Sequence, residues 1–66
     1  MTASEKFSEN LTRLTTTDKE LANKTIRQEA FKRFTIEEWT SMTENQKAMF
    51  RSLIIANLAM ELTFAK

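Results

Sequence analysis

The sequence predicts an all-α fold: a compact bundle of about four short-to-medium helices, ending in a long, apolar C-terminal helix. Three observations carry this. Gly and Pro are both absent from the 66 residues, so turns must be built from Thr, Ser, Asn and Asp, which favours short links between helices over hairpins. The signal Thr-x-x-Glu/Gln stands at Thr2/Glu5, Thr17/Glu20, Thr35/Glu38 and Thr43/Gln46, each before a helix-compatible segment, and reads as four helix starts. Apolar residues recur at steps of three and four rather than two.

The first helix is expected over about residues 3–14. Phe7, Leu11 and Leu14 form its apolar stripe, with Glu5, Lys6, Glu9 and Arg13 on the solvated face. Thr15-Thr16-Thr17 is the link. The second helix is expected over about 18–33, with Ala22, Ile26, Ala30 and Phe34 on one face. Leu21 and Phe31 lie nearly opposite, among Lys24, Arg27, Gln28 and Lys32. This second face either packs on another part of the core or, in the preferred reading, is a surface for a protein partner, formed by Leu21, Lys24, Arg27, Phe31 and Lys32. A basic strip for nucleic acid is the lesser reading.

Phe34-Thr35-Ile36-Glu37-Glu38-Trp39 is the sharpest local signal. Thr35 caps, Glu38 completes the box, and Phe34 before the cap can pack on Trp39 as a hydrophobic staple. A third helix then runs to about Met42.

The fourth helix is expected over about 44–64. Met49, Leu53, Ala56, Met60 and Phe64 make one stripe, and Phe50, Ile54, Leu58 and Leu62 make a second. A helix apolar nearly all round must be covered on several sides. Arg51, Ser52, Asn57 and Glu61 interrupt the run, so it is not read as a membrane span. Asn57 reads as a rim residue; a buried Asn would instead set the register of a helix–helix seam. The core candidates are Phe7, Leu11, Leu14, Ile26, Phe34, Trp39, Leu53, Ile54 and Leu58.

One domain is expected over residues 1–66. A chain this short buries only about 60% of its unfolded surface and needs a further staple. There is no Cys and no His, which removes disulfides, the usual zinc sites and an imidazole base. Oligomerisation remains, and a homodimer through Met49, Leu53, Ala56, Met60 and Phe64 is the expectation. The absence of Cys fits a cytoplasmic protein, and the first residues lack the pattern of a signal peptide.

An enzyme is not expected. Asp18 is the only Asp, Glu37 and Glu38 are neighbours that diverge on a helix, and no Gly-rich phosphate loop exists. No metal and no cofactor is expected either. The net charge of +1 gives no field that would draw nucleic acid. The rival reading is a helix-turn-helix over residues 36–51, with Asn45, Gln46, Lys47 and Arg51 as DNA readers. The preferred reading is a non-catalytic protein-binding module, a small regulator or inhibitor of the kind mobile elements carry, whose partner the sequence does not identify.

Phe34-Thr35, Glu37-Glu38-Trp39, Met42, Gln46-Lys47, Phe50-Arg51, Ile54-Ile55 and Asn57 together resemble the Krüppel-associated box of vertebrate zinc-finger repressors, which recruits a co-repressor. The likeness covers just over a third of the chain, and Ser52, Ala56 and Leu58 depart from it. What it implies agrees in class with the reading above: a helical protein-binding module.

Overall fold

The computed structural model describes residues 2–65. It holds four helices, α1 (Ala3–Thr15), α2 (Lys19–Arg33), α3 (Ile36–Ser41) and α4 (Glu44–Phe64), and no strand among the described residues.

Local chemistry sets three of the four starts. The Thr2 hydroxyl accepts from the Glu5 N–H at 3.2 Å. Thr35 and Glu38 form a reciprocal box, with bonds of 3.1 and 2.9 Å. Thr43 and Gln46 form another, at 3.2 and 2.9 Å. Each box satisfies two N–H groups that a helix start leaves without partners. The second start differs from expectation. Asp18, not Thr17, is the residue before α2, and no side chain caps it. Its carboxylate pairs with the Arg13 guanidinium at 2.7 Å instead. The Thr15 and Thr16 hydroxyls bond back to carbonyls of α1, so two of the link threonines finish the first helix instead of starting the second.

Both α1 and α2 pack on α4. Leu14, Ala22 and Ala59 form one buried cluster, with Phe7, Leu11, Ile55 and Leu58 against it. Ile26, Phe50 and Ile54 form the other, with Ala30, Phe34, Trp39 and Ile55 against it. Going up α1 and α2, the partners on α4 therefore go down, from Thr63 beside Asn10 to Phe50 beside Phe34. Both helices run antiparallel to α4, α1 over its C-terminal half and α2 from its middle toward its start. The result is long and thin, 43 × 22 × 18 Å, with a radius of gyration of 13.0 Å where about 11 Å is usual for this length.

The staple on α3 is present and larger than expected. Phe34 and Trp39 lie 6.1 Å apart, and Phe50 meets both edge-on at 5.3 and 5.7 Å. Most core expectations hold: Leu14, Ile26 and Ile54 are buried, and Phe7, Leu11, Phe34, Trp39 and Leu58 are half-buried. Leu53 is the exception and stands half in solvent, because α1 and α2 cover other sides of α4.

One buried polar contact ties α1 to the end of α4. The Asn10 amide donates to the Thr63 hydroxyl at 3.1 Å, which donates in turn to the Ala59 carbonyl at 2.7 Å. Both residues are buried. Asn57 is exposed, as a rim residue would be; the buried Asn between helices is Asn10. Thr63→Val keeps the shape but leaves the Asn10 amide without its acceptor, at a cost of about 1–3 kcal/mol. The midpoint of urea unfolding is expected to fall accordingly. Adding Asn10→Leu to Thr63→Val removes the stranded donor and should restore much of the loss; no restoration would mean that the contact is not what holds α1 in place.

Candidate interaction surfaces

Two surfaces emerge from this architecture. The first is the side of α4 that neither α1 nor α2 reaches. Met49, Leu53, Met60 and Phe64 are 73%, 50%, 50% and 64% exposed, and Ala56 between them is half-buried. The spacing of four, three, four and four residues keeps all five on one stripe. No charged residue belongs to it. Exposed Ser52 and Asn57 lie beside it, so its rim is polar and neutral around the middle.

The chain exposes 5171 Å², whereas a compact folded monomer of this mass exposes about 4,300 Å², in keeping with its elongated shape.

The second surface lies on α2. Leu21, Lys24, Arg27, Phe31 and Lys32 are all exposed, and two of them border a cleft. Arg27 and Phe31 line a cleft of about 480 Å³ between α2 and α3, together with Ile26, Ala30, Phe34, Ile36 and Trp39. Leu21, Lys24 and Lys32 stay outside it. Leu21 stands ten residues from Phe31, roughly 15 Å along the helix. Lys32 lies 3.9 Å from the Glu29 carboxylate. Sequence reasoning missed Ile36 as part of this surface. It follows a capping residue, where no rule requires an apolar side chain, and it proves 75% exposed beside the cleft.

The residues of the DNA-binding alternative are only partly available. Asn45, Gln46 and Arg51 are exposed. The Gln46 side chain, however, accepts from the Thr43 N–H in the cap of α4. Lys47 is folded inward, its side chain 18% exposed and its ammonium 5.7 Å from the centre of the Trp39 ring, a cation–π contact.

Among the described residues there is no group of His, Cys, Asp or Glu that could hold a metal ion, and no helix long and apolar enough to cross a membrane. Comparison with protein-family models, with curated proteins and with solved structures finds no match, the Krüppel-associated box included.

Proposed function

We propose that the chain is a non-catalytic protein-binding module that works as a homodimer joined through α4, in a regulatory or inhibitory role. The exposed stripe Met49–Leu53–Ala56–Met60–Phe64 is the observation that carries this reading. An apolar strip of that length on so small a molecule marks a contact surface. A surface that meets its own copy about a two-fold axis must be self-complementary. An uncharged stripe satisfies that condition, because bringing it against itself sets no like charges face to face. The free outer face of α2 then serves the partner protein, with Arg27 and Phe31 at its centre and Leu21, Lys24 and Lys32 around them.

The test is the molar mass in solution by light scattering across a dilution series, with helicity recorded on the same samples. The expected result is twice 7.7 kDa at high concentration, falling toward the monomer mass on dilution. A helical monomer at the highest soluble concentration would sink the dimer.

A further inference from the structure

We propose that the cleft between α2 and α3 is a docking groove for an acidic, amphipathic helix of the partner protein. An apolar side chain of that helix enters over Trp39, and a carboxylate near it pairs with Arg27. This rests on the reading of the chain as a protein-binding module and specifies the partner.

The cleft has the size and character of a binding site. About 480 Å³ lies within the roughly 300–1,000 Å³ of ligand pockets. Its floor is apolar, made by Ile26, Phe34 and Trp39. Its two lips are large apolar side chains held by different helices: Phe31 of α2, 69% exposed, and Ile36 of α3, 75% exposed. An occupant that covered both would remove two costly exposures at once.

Charge selects the occupant. Arg13, Lys32, Arg33 and Lys47 each have a carboxylate within 4.0 Å. Among the described residues Lys6, Lys19, Lys24, Arg27 and Arg51 have none, and of these Arg27 alone lines the groove, with Lys24 one turn away outside it. Arg27 is also the only charged residue that lines it. Glu37 follows Ile36 on the opposite side and is exposed. The acidic edge of the partner therefore lies along α2, and its neutral or basic edge along α3.

Secondary structure selects a helix. The groove is bounded by two helices and offers no sheet edge, so an extended segment would gain no ladder of backbone hydrogen bonds there. A helix satisfies its own backbone and presents apolar side chains at i, i+3, i+4 and i+7 to such a groove.

The test uses the isotope-labelled full chain and three synthetic peptides of about 18 residues, five helical turns. The first carries apolar residues at helical spacing with Glu on the polar face. The second keeps the apolar positions and carries Lys. The third keeps the Glu content and scrambles the apolar positions. The first is expected to shift the amide signals of Arg27, Ala30, Phe31 and Ile36 and the indole N–H of Trp39, the only Trp. The second should bind roughly tenfold more weakly or worse, and the third should not bind. Arg27→Glu should invert the preference between the first two. Ile36→Ser should abolish binding with helicity unchanged, since Ile36 contributes little to the core.

Equal binding of the acidic and basic peptides, or shifts confined to Met49, Leu53, Met60 and Phe64, would overturn the groove. So would no shift with any peptide. Shifts at Arg27 and Phe31 produced by random duplex DNA and not by the acidic peptide would overturn it in favour of nucleic acid. A dimer that ignores all three peptides removes the groove and leaves the dimer standing; a monomer that binds the acidic peptide does the reverse.

Discussion

Phe50→Ala will leave the chain largely unfolded in dilute buffer. Phe50 is buried and joins three separate pieces of the molecule. It meets Phe34 at the end of α2 and Trp39 in α3, both edge-on, and it shares a cluster with Ile26 of α2 and Ile54 one turn along α4. Truncating a buried Phe costs about 3–5 kcal/mol, and edge-on aromatic pairs add about 0.5–1.5 kcal/mol each beyond area. A 66-residue domain has roughly 3–10 kcal/mol in all, so the loss takes most of it. The six residues of α3 are far too few to stay helical alone, and Trp39 should report their release by a red shift of its fluorescence. Phe50→Leu keeps most of the volume and should cost about 1–2 kcal/mol, remaining folded. An unfolding midpoint for Phe50→Ala close to that of the parent chain would show that the aromatic cluster is not what anchors α3.

The parts of this fold that are legible in the sequence are those that local chemistry decides. Thr35 with Glu38 and Thr43 with Gln46 can be read as helix starts because both partners of each box lie within four residues. The same reasoning fails at Thr17: α2 starts after Asp18, whose carboxylate pairs with Arg13 five residues back and caps nothing. Non-local pairing is not legible at all: Asn10 and Thr63 are separated by 53 positions, and nothing near either one announces the other. The facing of α4 lies between these cases. Two apolar stripes are visible, but periodicity does not say which one the other helices reach. Leu53 fits either role, and only the placement of α1 and α2 leaves it outside. The cleft is half legible, since Arg27 and Phe31 stand out on a polar face while Ile36 enters it only because Trp39 anchors α3 against Phe34 and Phe50.

The uncovered stripe leads to the other large effect: Leu53→Glu will hold the protein monomeric at every accessible concentration. Leu53 lies next to Ala56, the middle residue of the stripe, and is already half in solvent in the isolated chain. A carboxylate there costs the monomer little, within about 0.5 kcal/mol for an exposed substitution. In the proposed dimer the two-fold relation would set two such carboxylates in the interface, with no cation belonging to the stripe to receive them. The penalty for each desolvated, unpaired charge is several kcal/mol. At about 1.4 kcal/mol per tenfold, association should weaken by three orders of magnitude or more. Light scattering should then give 7.7 kDa under conditions where the parent chain is expected to give twice that. Arg51→Glu is the control. It changes the net charge further, but it lies two residues away, about 200° round the helix, on an exposed position outside the stripe. Its mass should match that of the parent. If both variants dimerise, the stripe is not the interface; if both dissociate, net charge rather than the stripe governs association.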